Sequence, residues 1–454
     1  MPGRSLHAPD AVQADPPAGA ELAIGIVGGG QLAWMLADAA QRMGVSLRIQ
    51  TPGAEDPAVR LASAVVRADL RDCEATRLLA QGCRSVSFEN EWADLEGLAP
   101  LAAEGICFLP SLTSLEPLIC KRRQRQLQAR LRLPAPRWFP LEQVFSPDPR
   151  SEGEASGAAG RGSANGSDGS RGAGGGADRD PLTARSRQAG KPALPEGFSY
   201  PLMAKQASGG YDGKGTMVLR SDADLEALLQ RVSPEQWLVE DLVAFERELS
   251  LVASRDQSGA VAVFPLAETH QYEQICDWVL APAAVEQAVQ AYARNIAASL
   301  LTSLDYVGVL SIEFFYGPDG LLINELAPRT HNSGHYTIEA TRTSQFEQQL
   351  RIVSGQPVGP TDLTVPGALM VNLLGFEHSD SDYRDQREAL AALPAATLHW
   401  YGKGTARPGR KLGHLTLLLQ GTSADARWQE AQARLTEVRR IWPLPEALKL
   451  TDLA

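Results

Sequence analysis

The stretch Leu310–His335, LSIEFFYGPDGLLINELAPRTHNSGH, sets two apolar runs on either side of Gly317-Pro318-Asp319-Gly320. A turn of that composition between such runs predicts a β-hairpin. In the first arm Leu310, Ile312 and Phe314 share one face, which leaves Glu313 on the other. Folding about Pro318-Asp319 brings Glu313 roughly opposite Asn324 and Glu325. Two carboxylates that close are unfavourable unless a cation lies between them. Oxygen donors, with no cysteine and no required histidine, suit Mg2+, which joins a few carboxylates to substrate phosphates. Each acid is embedded in an apolar run, which favours Glu313 and Glu325 as metal ligands over two solvated acids on a sheet face. Arg329, His331, Asn332, Ser333 and His335 then crowd the strand exit, a composition suited to a polar substrate. Neither histidine has a partner at zinc-ligand spacing.

Two further stretches suggest phosphate chemistry. Gln206–Thr216, QASGGYDGKGT, carries four glycines and Lys214. It can fold backbone N–H groups over phosphates and close as a lid. It is not a P-loop, because Gly215 follows the lysine where Ser or Thr is required. Lys205, on the strand before it, alternates with apolar residues and points inward. Near the carboxyl end, YGKGTARPGRK groups Lys403, Arg407, Arg410 and Lys411. In an acidic chain this is a phosphate clamp or a solvated basic loop, with equal claim.

The amino-terminal GIVGGGQLAWM presents Gly28, Gly30 and Ala33 between a strand and a helix, as a dinucleotide fingerprint does. That site also needs an acid at the end of the second strand, and LRIQTP puts Gln50, Thr51 and Pro52 there. The fingerprint is half present. A nicotinamide-dependent oxidoreductase and simple tight strand–helix packing both stay open, and the helix N-terminus still attracts an anion.

At 454 residues the chain suits two or three domains, and its formal charge of −11 argues against a general nucleic-acid binder. Its five scattered cysteines suit reduced thiols in a cytoplasm. Residues 1–21 read as a disordered tail, with no signal peptide, and no apolar run is long enough to cross a membrane. From Leu22 strand and helix alternate, as in a parallel sheet with helices on its faces. Residues 146–191 have almost no large apolar side chains and read as a disordered insertion. Short strands resume at YPLMAK, and those beyond Pro366 suggest a small β-rich closing domain.

GIVGGGQLAWM, GGYDGKG, INELAPRTHNSGH and RPGRKLGH, in this order, resemble the ATP-grasp superfamily and within it the 5-(carboxyamino)imidazole ribonucleotide synthases. The resemblance runs from about Ala23 to His414 without the insertion. It implies an α/β fold: a Rossmann-like pre-ATP-grasp domain over 22–120, an ATP-grasp domain over 121–365, and the β-rich domain over 366–454. It implies a cytoplasmic, homodimeric ligase that takes ATP, Mg2+, bicarbonate and aminoimidazole ribonucleotide, with carboxyphosphate formed first. The nucleotide would lie between the halves of the grasp fold, meeting Lys205, Ser208, Gly209, Gly210, Lys214 and Gly215. Glu240, Asp241, Leu242 and Val243 resemble the adenine hinge, Glu248 the acid on the ribose, and Asn324 assists the metal acids.

For the substrate the resemblance implies Gly30, Gln31, Leu32, Glu89, Tyr211, Asp212, Asn332, Ser333 and Arg410. Arg329, His331 and Lys403 would be catalytic. The chain departs from the family pattern at three places. Arg125 stands near a position where a nucleotide-contacting lysine is usual, Gln271 stands where a histidine is usual with His270 beside it, and Ala33 replaces a glycine. A formate-dependent glycinamide ribonucleotide transformylase is the neighbouring alternative.

Overall fold

A computed structural model describes residues 22–145, 192–209 and 215–446. The amino-terminal tail, the Gly/Ser-rich insertion and the lid residues Gly210, Tyr211, Asp212 and Lys214 lie outside the described residues. By contact density the chain forms two compact units. The smaller comprises Arg137–Ala207 and Thr216–Leu242, and the larger takes the rest.

The larger unit begins with β1 (Ala23–Val27), β2 (Leu47–Thr51), β3 (Ala64–Arg67) and β4 (Cys83–Phe88), all parallel in the order β3-β2-β1-β4. Every residue of β1 is buried, as a strand covered on both faces demands. Helix α1 (Gln31–Met43) follows β1 and ends at Gly44, whose φ of 69° supplies the left-handed C-terminal cap. Phe108, in GICFLP, adds only an isolated parallel bridge to Val86.

The smaller unit holds β5 (Trp138–Pro140), β6 (Leu202–Gln206), β7 (Thr216–Leu219) and β8 (Trp237–Asp241) in an antiparallel sheet ordered β5-β8-β6-β7.

The remaining strands of the larger unit form one nine-stranded sheet. They are β9 (Arg247–Arg255), β10 (Val261–Val263), β11 (Ala267–Tyr272), β12 (Ile275–Ala281), β13 (Gly308–Gly317), β14 (Gly320–Ala327), β15 (Gly367–Leu374), β16 (Ala396–Trp400) and β17 (Lys411–Leu419). The order is β14-β13-β9-β11-β12-β15-β17-β16, with β10 on β9. The strands beyond Pro366 therefore extend the sheet that carries the β13–β14 hairpin.

The outer edge of β14 is closed by side chains rather than by another strand. Gln124, on the helix Lys121–Arg130, donates to the Leu326 carbonyl at 2.9 Å and accepts from the Leu326 N–H at 3.1 Å. The Pro134 carbonyl accepts from Ile323 at 2.8 Å. Among the described residues, no helix is long and apolar enough to span a membrane.

Candidate active site

In the β13–β14 hairpin Ile312 pairs with Leu326, Glu313 with Glu325, and Phe314 with Ile323, so Asn324 is the extra residue of a β-bulge. The bulge shifts the alternation of β14 by one. Leu321, Ile323 and Leu326 are all buried in the core beside Leu310, Ile312 and Phe314. Asn324 and Glu325 are left together, half-buried, away from that core. Two adjacent polar residues thus share the side on which Glu313 lies.

Burial pushes the Glu313 carboxyl up to about 8, the charges of Glu325 and Glu248 add to the rise, and Lys121 and Lys411 oppose it. Glu248 lies on the same face, because it pairs with Phe315 while Ser250 pairs with Glu313. The Lys121 ammonium forms an ion pair with Glu325. His331 Nε2 stands 3.7 Å from Glu313 Oε1.

The loop after β14 is tied to the sheet through Ser333. Its hydroxyl meets Ser250 Oγ at 2.6 Å and His331 Nδ1 at 2.9 Å. Asn332 exchanges two amide hydrogen bonds with Asn372, at 2.9 and 2.7 Å. Asn332 and Ser333, expected at the substrate, hold this loop in shape. Arg329 donates to Glu91 at 2.7 and 3.4 Å and to the Thr330 carbonyl at 3.2 Å. Burial opposes the charge on both Arg329 and Glu91, yet their mutual attraction leaves the guanidinium above and the carboxyl below their usual ranges.

At the glycine fingerprint the start of α1 is met from within the chain. Glu89 Oε2 accepts from the Gly30 N–H at 2.7 Å, and its Oε1 accepts from Leu32 and Ala33 at 3.0 and 3.2 Å. The anion expected at the start of α1 from a ligand is supplied by the chain itself. Burial lifts the Glu89 carboxyl, against the three N–H groups and Arg329, which pull it down. Gln50, where a dinucleotide site needs its acid, is fully buried and donates to the Asp69 and Asp72 carbonyls at 2.7 and 3.1 Å.

In the basic loop Lys403 Nζ donates to the Lys411 carbonyl at 2.6 Å and lies 5.4 Å from the centre of the Tyr401 ring. Arg410 donates to the carbonyl and hydroxyl of Thr405 at 2.7 and 2.6 Å, and burial, with Arg407 nearby, lowers its pKa. Arg125 is buried, with donors on Gln128 Oε1 at 2.7 Å and the Ile323 and Asn324 carbonyls at 3.2 and 2.8 Å. It therefore braces the bulge. Gln271 and His270 straddle a register shift in β11, and His270 stacks on Trp278 at 5.2 Å.

In the smaller unit Lys205 and Glu240, both buried, pair at 2.7 Å. They are diagonal neighbours on one face, since Met203 pairs with Glu240 and Lys205 with Leu238. Asp241 is engaged by Arg137 at 2.6 and 3.0 Å, and Leu242 is exposed. Val243 falls in the larger unit, as do Ser208, Gly209 and Gly215.

Sequence reasoning missed Glu91, Tyr401 and His414 among the polar groups around these residues. Glu91 lies two positions after Glu89 in SFENE, just beyond the end of β4, and the closeness of two acids to a strand end was the available signal.

Three family comparisons match the chain in order. Residues 22–117 match the ribonucleotide synthetase preATP-grasp domain, 182–346 the ATP-grasp domain, and 368–427 the phosphoribosylaminoimidazole carboxylase C-terminal domain. An N5-carboxyaminoimidazole ribonucleotide synthase of Synechococcus elongatus is 46% identical over 93% of this chain and 96% of its own. The crystal structure of the Thermus thermophilus synthetase of that name is 31% identical, with a TM-score of 0.72, over 94% of this chain and 99% of that one. The Aspergillus clavatus synthase, in complex with ADP and 5-aminoimidazole ribonucleotide, is 25% identical with a TM-score of 0.73, over 92% and 99%.

Proposed function

This chain belongs to the N5-carboxyaminoimidazole ribonucleotide synthase family, and from that premise we propose how its own residues divide the work. It is an ATP-dependent ligase that carboxylates 5-aminoimidazole ribonucleotide in purine biosynthesis. Bicarbonate is a poor electrophile. Its oxygen takes the γ-phosphoryl group of ATP, giving carboxyphosphate and ADP, and the phosphate then leaves as the substrate amine gains the carboxyl group.

Mg2+ fits the donor set at the bulge: two carboxylates and one amide, all oxygen donors. Burial raises the Glu313 carboxyl most and the charges of Glu325 and Glu248 raise it further, so a cation seated there would stabilise its charged form. Glu313 and Glu325 would hold the ion, with Asn324 beside them, and the bound ion would neutralise phosphate charge. Lys121, now paired with Glu325, would give way or turn to a phosphate. Lys205, Ser208, Gly209, Gly210, Lys214 and Gly215 are proposed for the nucleotide phosphates, Glu240, Asp241, Leu242 and Val243 for adenine, and Glu248 for ribose. Arg125 and Gln271 are proposed at the nucleotide too.

Arg329 and His331 face the developing charge of the carboxyl transfer, Arg329 fixed by Glu91 and His331 by Ser333. Lys403 and Arg410 are proposed for the ribonucleotide phosphate. Glu89, Gly30, Gln31, Leu32, Asn332 and Ser333, with Tyr211 and Asp212 of the lid, shape the substrate side. We also propose a cytoplasmic homodimer with domains at 22–120, 121–365 and 366–454; the five cysteines, all unpaired, support a reducing compartment.

The register that sets Glu313 against Glu325, with Asn324 bulged, carries this assignment. Phosphate release from ATP is the test. It is expected only when Mg2+, bicarbonate and aminoimidazole ribonucleotide are all present. Turnover with formate and glycinamide ribonucleotide instead would overturn the reading.

A further inference from the structure

The geometry points to Tyr401 as the residue that positions Lys403, itself held in place by its hydrogen bond to the buried His414 and by its packing on Trp34. The inference rests on the proposal that Lys403 holds the ribonucleotide. Tyr401 is 4% exposed, with its ring edge against Trp34 of α1 at 6.1 Å and its face beneath the Lys403 ammonium. A cation over an aromatic face is attracted most when water is excluded.

The histidine beside this pair, His335, is fixed by Gln345. Gln345 Oε1 accepts from the His331 N–H at 2.9 Å, and its Nε2 donates to the His331 carbonyl at 2.7 Å, which fixes that amide. The same Nε2 meets His335 Nδ1 at 3.2 Å, so Nδ1 accepts and the imidazole proton sits on Nε2. That proton faces the side-chain amide of Gln31 at 3.3 Å. The Tyr401 hydroxyl shares a hydrogen bond with His414 Nδ1 at 2.8 Å.

His414 is fully buried, stacked between His399 at 4.5 Å and His335 at 4.8 Å. Burial, with the neighbouring histidines, holds both His335 and His414 well below the usual imidazole range, so neither is charged near neutrality. Among the described residues the other nitrogen of His414 has no partner. Its hydrogen bond to Tyr401 is thus the polar contact that a buried imidazole at this position provides. Tyr401 in turn joins α1 to the basic loop.

The test is a double-mutant cycle on the full-length enzyme, reading kcat and separate KM values for aminoimidazole ribonucleotide and ATP. Tyr401→Leu is expected to raise KM for the ribonucleotide about tenfold and leave KM for ATP within about twofold. Tyr401→Phe, which keeps the ring and loses the hydroxyl, should raise it about two- to fivefold. On a Lys403→Ala background both substitutions should have no further effect. Effects that persist undiminished on that background, or that move both KM values together, overturn the inference. If Tyr401→Leu fails to fold, Tyr401→Phe completes the same cycle. A wild-type enzyme with no turnover of the ribonucleotide overturns the functional reading and this inference together, whereas an additive cycle in an active enzyme overturns the inference alone.

Discussion

Gly30 donates its backbone N–H to Glu89 at 2.7 Å, and a Cβ at Gly30 would lie 2.6 Å from the other oxygen of the same carboxylate. At Gly28, where φ is 135°, an added Cβ would stand 2.3 Å from Glu89 Cβ. The glycines that imitate a dinucleotide fingerprint therefore make room for an acid of the chain itself. Gly30→Ala should destabilise the protein by about 1–3 kcal/mol through this overlap. The loss should shrink in a Glu89→Ala background, where the overlapping atoms are gone. Equal losses of melting temperature in the two backgrounds would show that the glycine answers to something else.

Glu325→Ala should remove Mg2+-dependent ATP cleavage by about 10²–10³-fold while the melting temperature stays near that of the wild type. Glu325 is half-buried and paired with Lys121 at the margin of the hairpin, so its loss opens no core cavity. Retained phosphate release in a folded variant would reject it as a metal ligand.

The Glu313 carboxyl titrates near 8 in the folded chain against an ordinary 4.5. Between those values the folded protein keeps a proton that the unfolded chain has released, so this group's effect on stability worsens as pH rises through the window. Glu313→Gln should flatten that part of the profile and be relatively more stable than the wild type at pH 8, about the upper end of the window. Glu325→Gln removes a neighbouring charge and should move the window downward. Parallel urea midpoints for the wild type and Glu313→Gln from pH 5 to 8, roughly the span of the shift, would contradict the burial assigned to Glu313.

The hairpin was legible because its apolar alternation and its Pro-Asp turn are local signals, and both acids were placed together from them. The bulge was not. A single extra residue leaves composition unchanged, and only the need to bury Leu326 along with Ile323 fixes where it falls. The helix Ala424–Ile441 and strand β3 went unread because their apolar stripes are short or interrupted. Glu89 was assigned to the substrate by resemblance, and its bonds to Gly30, Leu32 and Ala33 depend on a fold contact 59 residues away in sequence. The Tyr401–His414 pair is likewise a product of two strands meeting in register, which periodicity does not report.

Arg125 shows how a departure at one site is absorbed at another. Its planar fork spans Gln128 and the carbonyls of Ile323 and Asn324, which are the residue before the bulge and the bulged residue itself. Lysine presents one compact ammonium and cannot bridge these acceptors at once. Arg125→Lys should therefore lower stability by about 1–3 kcal/mol, because buried carbonyls lose a donor. It should also raise the Mg2+ concentration for half-maximal ATP cleavage, because the bulge sets the aim of Glu325. Both changes are expected together, read by thermal melting and by Mg2+ titration of phosphate release. An unchanged melting temperature and an unchanged Mg2+ requirement would show that the strand holds its bulge without the guanidinium.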